Sequence, residues 1–114
     1  MTSDRMRRVD EAIREVLSDA LGQGLKDPRI GFVTVTDVKT SPDLRRARVY
    51  VTVLGDEQKR EASLTGLQSA HGVLQRRVAT ELRMKRTPTL QFLYDDTTDR
   101  AMHIEELLSS EDDG

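Results

Sequence analysis

Apolar residues recur along this chain with two different periods, and each change of period marks a boundary between predicted elements. Steps of three and four residues over 4–21, and again over 55–84, predict amphipathic helices. Strict alternation over 45–54 predicts a strand that has one buried and one polar face. Segments rich in β-branched and aromatic residues predict two further strands at 30–39 and 90–95.

The order of these elements, α-β-β-α-α-β, limits the architecture. The turn-forming stretch Ser41-Pro42-Asp43 joins the first two strands as a hairpin. Three strands are too few for a doubly wound sheet, so the sequence predicts an α+β sandwich with the helices on one face of a three-stranded sheet. A weak final helix is predicted at 97–108, and the polar end, SSEDDG, is predicted to be disordered. We therefore expect one domain, 1–108, and an acidic tail, 109–114.

A glycine interrupts the apolar stripe of the second helical region. Glycine inside a helix costs about 1 kcal/mol relative to alanine, so Gly72 predicts a break in the helix. A break would free backbone N–H groups at the start of the following helix, where the helix dipole favours anions. The apolar residues that continue through this glycine are Leu64, Leu67, Ala70, Leu74, Val78 and Leu82.

Basic residues follow the break with one acid, Glu81, among them. Arg76 and Arg83 lie seven residues apart, so they are expected to point in nearly the same direction from one helix. We interpret these cations as contacts to nucleic-acid phosphates, with the hairpin arginines as helpers. The alternative, that they only solvate a helix surface and the outer face of the sheet, stays open. The candidates are Arg76, Arg77, Arg83, Lys85 and Arg86, with Arg45, Arg46 and Arg48 as the helpers.

The net charge of −2 conceals an uneven distribution along the chain. Residues 1–94 contain 17 Lys and Arg against 12 Asp and Glu, a balance of +5, whereas residues 95–114 have a balance of −7. A basic body with an acidic end indicates a nucleic-acid partner. The same high proportion of charged residues also keeps any small protein soluble, so the charge alone does not decide the function.

Composition argues against several classes of protein. There is no cysteine, and the two histidines, His71 and His103, lie 32 residues apart with no ligand partner at helical spacing. We therefore predict no metal or cofactor and no enzymatic activity. No segment has the ~20 apolar residues of a membrane span, and the N-terminus lacks a signal peptide's apolar run, which predicts a soluble, cytoplasmic protein. Phe32 and Phe92 are expected in the core, which disfavours RNA recognition by base stacking.

Two stretches of the chain resemble bacterial ribosome-binding factor A. They are LKDPRIGFVTVTDVKTSPDLRRARVYVTVLG at 25–55 and GLQSAHGVLQRRVATELRMKRTPTLQFLYDD at 66–96. The resemblance implies a type II KH-like fold, in the element order already predicted from periodicity. The family has a helix-kink-helix with an Ala-x-Gly pattern in place of the usual GxxG loop, and Ala70-His71-Gly72 matches that pattern.

The resemblance also implies a function. Proteins of this family bind the free or immature small (30S) ribosomal subunit and assist the maturation and 5′ end processing of 16S rRNA. They support growth in the cold and work beside an assembly GTPase that promotes their release. The expectation for this chain is a monomeric RNA-binding assembly factor that is not an enzyme.

Two other functions remain as alternatives to be tested. A protein–protein adaptor would use the exposed sheet face or the acidic tail to bind a ribosomal protein, and its binding would survive removal of rRNA. A small hydrolase would depend on a metal ion or on His71.

Overall fold

The computed structural model describes residues 4–96, and the predicted order of elements is confirmed. The predicted helix at 97–108 and the predicted tail at 109–114 lie outside the described residues. The elements are α1 Asp4–Gly22, β1 Val33–Thr40, β2 Arg46–Val53, α2 Glu57–Ser69, α3 His71–Leu82 and β3 Thr89–Tyr94. Within residues 4–96, no helix is long and apolar enough to span a membrane.

The three strands form one sheet in the order β1-β2-β3. β1 pairs antiparallel with β2, as expected for a hairpin, while β2 pairs parallel with β3. In the parallel ladder Arg46 lies opposite Thr89, and the Thr89 N–H donates to the Arg45 carbonyl at 2.8 Å. The β1–β2 turn and the loop between α3 and β3 therefore lie at the same end of the sheet.

One face of the sheet is covered by the helices and the other is open. The alternation predicted for β2 is confirmed, since Ala47, Val49 and Val51 are fully buried while Arg46 and Arg48 are exposed. Burial of aliphatic side chains between sheet and helices is the main stabilising term, at roughly 25 cal/mol per Å² of apolar surface. The helices contribute Ile13 and Leu17 from α1, Leu67 from α2, and Leu74 and Val78 from α3 to this core.

β1 contains a bulge at Thr36. The register runs from the Val35–Val51 pair directly to the Asp37–Tyr50 pair, so Thr36 has no partner on β2. Its hydroxyl lies 2.5 Å from an Asp95 carboxylate oxygen and 3.2 Å from the Tyr50 carbonyl. The extra residue thus connects an edge strand to the segment that follows β3.

Two buried polar side chains attach loops to the helices. Asp10 of α1 accepts a 2.9 Å hydrogen bond from the Thr40 N–H at the end of β1. Ser63 of α2 is fully buried and accepts from the Gly31 N–H at 3.0 Å. The same hydroxyl lies 3.4 Å from the Arg29 carbonyl. These bonds fix the residues before β1, and the last residue of β1, against the helical layer.

Gly66 provides the first test of this packing. A Cβ on Gly66 would lie 2.6 Å from Cγ1 of Ile30, closer than two non-bonded carbon atoms can approach. We expect Gly66→Ala to lower the free energy of unfolding by about 1–3 kcal/mol, because the loop before β1 must shift. Urea unfolding measures this, and Gly22→Ala, where a Cβ would meet no atom within 4 Å, is the matched control. Equal stability of the two variants would contradict the packing described.

Candidate nucleic-acid interface

A single residue separates α2 from α3. Ala70 has φ −89° and ψ 4°, and its N–H still donates to the Gly66 and Leu67 carbonyls of α2, at 3.0 and 3.1 Å. Its own carbonyl accepts from the Leu74 N–H at 3.1 Å, the first hydrogen bond of α3. The break predicted at Gly72 therefore falls two residues earlier, at Ala70. The structure corrects the position of the kink but confirms its place within Ala70–Gly72.

Gly72 is exposed in the first turn of α3, and neither its conformation nor its surroundings in the protein require glycine. It does not have a positive φ, and a Cβ there would meet no atom within 4 Å. No side chain caps the start of α3. The position thus leaves the backbone open to close approach from outside, where the helix dipole favours an anion.

His71 lies beside the break. Its Nδ1 is 2.7 Å from the Gln68 carbonyl, which can only accept, so Nδ1 carries the proton. The bond closes the last turn of α2 and leaves Nε2 directed away from that contact. The Ala70-His71-Gly72 motif therefore combines a closed end of one helix with an uncapped start of the next.

The cations after the break do not form one continuous row. Arg76 is exposed on α3 and, among residues 4–96, its guanidinium makes no ion pair. Arg77 instead donates to Glu81 at 3.0 Å and to the Gln23 side chain at 2.9 Å. Arg77 therefore bridges α3 to the residue after α1, and its contact to phosphate stays a prediction.

Arg83 lies at the C-terminal cap of α3 and not within the helix. It caps the helix in the left-handed conformation, with φ 52° and ψ 41°, and its N–H donates to Ala79. The prediction that Arg76 and Arg83 project together from one helix is therefore wrong. Arg83 begins an exposed basic loop, with Lys85 and Arg86, that leads into β3.

The hairpin arginines surround a second basic feature. A cavity of about 570 Å³ opens at the β1–β2 turn. Asp43 is the one acid among the residues that line it. Its carboxylate accepts hydrogen bonds from the Ser41 hydroxyl and from the Arg45 N–H, and these bonds, that from Ser41 first, lower the pKa of the carboxyl. The lining residues are Lys39, Thr40, Ser41, Asp43, Arg45, Arg46 and Arg48.

The parallel ladder brings the two basic groups together. Because Arg46 pairs with Thr89, the loop with Lys85 and Arg86 lies beside the β1–β2 turn. Within residues 4–96, Arg46, Lys85 and Arg86 make no side-chain ion pair. Such an arrangement attracts anions by Coulomb interaction and offers bidentate donors that suit phosphate. We name Arg45, Arg46, Arg48, Arg83, Lys85 and Arg86 the basic end of the sheet.

Lys39 also belongs to this region, opposite Arg48 in the β1–β2 register, although it is not among the cations predicted from the sequence. The bulge at Thr36 shifts the alternation of β1, so the face on which Lys39 lies cannot be read from period two alone.

The part of the chain that the structure describes contains no group of three or more His, Asp or Glu side chains placed to hold a metal ion. The arrangement of these residues is suited to binding an anionic surface.

Arg83 allows stability and binding to be separated. A non-glycine residue in the left-handed region costs roughly 1–2 kcal/mol, part of which glycine would recover. We expect Arg83→Gly to raise the midpoint of thermal unfolding by about 4 °C while weakening binding to RNA. Arg83→Gln, which removes the charge and keeps the strained backbone, should weaken binding equally without the gain in stability. Loss of stability in Arg83→Gly would contradict the assigned conformation.

Comparison with known proteins identifies relatives across almost the whole chain. The family model described as "Ribosome-binding factor A" matches residues 5–108. A ribosome-binding factor A from Anaeromyxobacter sp. (strain K) is 53% identical over 108 residues, which cover 94% of this chain and 78% of the relative.

Solved structures are similar as well. The solution structure of a putative ribosome binding factor A from Thermotoga maritima superposes with a TM-score of 0.73 at 35% identity, covering 82% of this chain and 89% of that one. A Thermus thermophilus ribosome binding factor A, fitted as a homology model into a cryo-EM map of its complex with 30S, gives a TM-score of 0.59 at 32% identity. That alignment covers 80% of this chain and 91% of the other. The resemblance noted in the sequence is thereby confirmed in both sequence and fold.

Proposed function

The chain belongs to the ribosome-binding factor A family, and from that premise we propose that it binds the small ribosomal subunit and acts in the subunit's assembly. A similar protein of the family has been placed in a complex with 30S. The observation in this chain that supports the proposal is the basic end of the sheet, where cations from the hairpin and from the α3–β3 loop lie side by side.

The unpaired charge of this surface supports phosphate binding there. Arg46, Arg48 and Arg86 are exposed and make no ion pair with any residue in 4–96. Surface cations that are already paired gain little from a new anion, whereas unpaired ones release counterions from RNA when they bind it. The open start of α3 at Gly72 offers a further phosphate position, reached by backbone N–H groups.

The finer parts of the proposal rest on family membership. We propose that the protein assists maturation and 5′ end processing of 16S rRNA, and that an assembly GTPase promotes its release. It acts in the cytoplasm as a monomer, by binding and without catalysing a reaction. The support from the structure is the basic surface itself, whose chemistry suits RNA.

The test is binding of fluorescently labelled protein to isolated small subunits, to joined ribosomes and to an unrelated RNA hairpin across a salt series. We expect tight binding to small subunits alone, weakening with salt at a logarithmic slope of about −5, as six or seven phosphate contacts would give. Equal, weak binding to all three would contradict the proposal. Binding of ribosomal proteins after removal of rRNA would favour the adaptor alternative.

A further inference from the structure

Phe32 is exposed, although the sequence predicted it in the core. β1 begins at Val33 rather than at residue 30, so Phe32 precedes the strand. Its side chain is 76% exposed, and that of Leu54 is 75% exposed. The Leu54 N–H donates to the Phe32 carbonyl at 3.0 Å, which places the two apolar residues opposite each other at the end of the hairpin.

Both residues continue the outward side of the hairpin. Val53 is buried on the helical side, and Val33 packs against the core from the same side. Side chains alternate along a strand, so Phe32 and Leu54 belong to the open face. Along β2 the outward positions run from Leu54 through Thr52 and Tyr50 to the basic end, about 20 Å to Arg48 and about 26 Å to Arg46.

The backbone around Phe32 is fixed, so its exposure is a property of the fold. Arg29 donates to Asp27 through its guanidinium and then its backbone N–H, and these bonds lower the pKa of the Asp27 carboxyl to about 2. Gly31 donates to the buried hydroxyl of Ser63. A Cβ on Gly31 would lie 2.6 Å from Cε of Lys59, so α2 packs directly against this residue. The residues before Phe32 are therefore fixed against α2, and the Phe32 side chain lies outside the core.

We propose that the open face of the sheet binds single-stranded RNA, with Phe32 stacking on a base and Arg46 and Arg48 contacting phosphates. This inference rests on the proposed function and extends it to a surface on the opposite side of the sheet from the α2–α3 break. Aromatic platforms beside cationic positions are how proteins hold single strands, since every base presents a flat face.

The size and chemistry of the face favour RNA over a protein partner or a second copy. Phe32 and Leu54 are the exposed large apolar side chains of this face, too few for the apolar centre of a stable protein interface, which buries roughly 800 Å² of surface per partner. The remaining outward positions are mostly hydroxyl and cationic groups. Two acids lie on this face: Asp37 is 4.0 Å from the Lys39 ammonium, and an Asp95 carboxylate oxygen is 2.5 Å from the Thr36 hydroxyl. Both contacts reduce the repulsion of phosphate.

Tryptophan at position 32 makes the stacking observable. The chain contains no tryptophan, so Phe32→Trp introduces a single fluorophore on the open face. We expect its emission to be quenched by a single-stranded oligouridylate and by isolated small subunits, because stacking on a base quenches indole. Glu15→Trp, exposed on α1 in the helical layer, is the control and should not be quenched.

Substitutions of Phe32 show whether its side chain binds a nucleic-acid base or an apolar group of another partner. Phe32→Ala and Phe32→Leu should both weaken binding to small subunits about tenfold, whereas Phe32→Tyr should retain it. All three should melt like the wild type, since the side chain is exposed. Full retention of affinity by Phe32→Leu, or absence of quenching by RNA, would overturn the proposal.

The same measurements keep this proposal distinct from the proposed function. If wild-type protein binds small subunits and every Phe32 variant binds equally well, the open-face site is wrong and the assembly role stands. If wild-type protein fails to bind small subunits while oligouridylate quenches Phe32→Trp, the assembly role is wrong and the site stands.

Discussion

Arg46→Glu combined with Arg86→Glu is expected to weaken binding to isolated small subunits by about a hundredfold, and to reduce the salt slope by about two. One residue comes from β2 and the other from the loop before β3, and the parallel ladder places them at the same end of the sheet. Each reversal removes a favourable charge and adds a repulsive one against phosphate. Filter binding or fluorescence anisotropy across a salt series measures both effects.

The matched control is Lys26→Glu with Gln58→Glu and Thr65→Glu, which changes the net charge equally. Lys26 follows α1 in a loop, and Gln58 and Thr65 are exposed on α2. If the control loses as much affinity as the test variant, the binding reflects overall charge, and the assignment of the basic end is wrong. Circular dichroism should show the same fold and melting in both variants, since all the substituted side chains are exposed.

Gly72→Glu is expected to weaken binding to small subunits by about thirtyfold without loss of stability. The backbone at Gly72 accepts a side chain, because a Cβ meets no atom within 4 Å. Glutamate in the first turn of a helix is favoured by the dipole, so the free energy of unfolding should rise by about 0.5 kcal/mol. The carboxylate would then occupy the position that we assign to an RNA phosphate, and like charges there cost several kcal/mol.

Gly72→Ala is the graded control for this position. Alanine adds a methyl group without charge, so it should stabilise α3 slightly and weaken binding less than glutamate does. Thermal unfolding and subunit binding, measured on the same samples, separate the two effects. Unchanged affinity in both variants would show that nothing approaches the backbone at Gly72, and would remove the α2–α3 break from the interface.

Periodicity was sufficient for the fold because each element is buried on one side. The alternation of β2 and the helical stripe of α3 both face the core, and the predicted boundaries agree with the structure to within three residues. The position of the helix break was harder to predict from the sequence. Glycine marks where a break costs little, but the residue that leaves helical geometry is Ala70, and helix propensity alone does not single it out.

The candidate interface was predictable in composition and less so in arrangement. The pairing of Arg77 with Glu81 could have been read from their spacing of four residues, whereas the contact of Arg77 with Gln23 depends on the packing of α3 against α1. That Arg46 and Arg86 lie at one end of the sheet follows from parallel pairing of β2 with β3, a long-range property. The outward direction of Phe32 could have been read from its alternation with Val33 and Val35, whereas its exposure depends on the absence of a helix on that face of the sheet, a long-range property.

The bulge at Thr36 has a consequence for solubility. β1 is an edge strand, and a regular edge offers a ladder of backbone donors and acceptors to strands of other molecules. An extra residue in mid-strand interrupts that ladder, and its hydroxyl is already engaged with Asp95 and the Tyr50 carbonyl. The β1 edge is therefore a poor template for intermolecular strand addition, which protects this small protein from aggregating through that edge of its sheet.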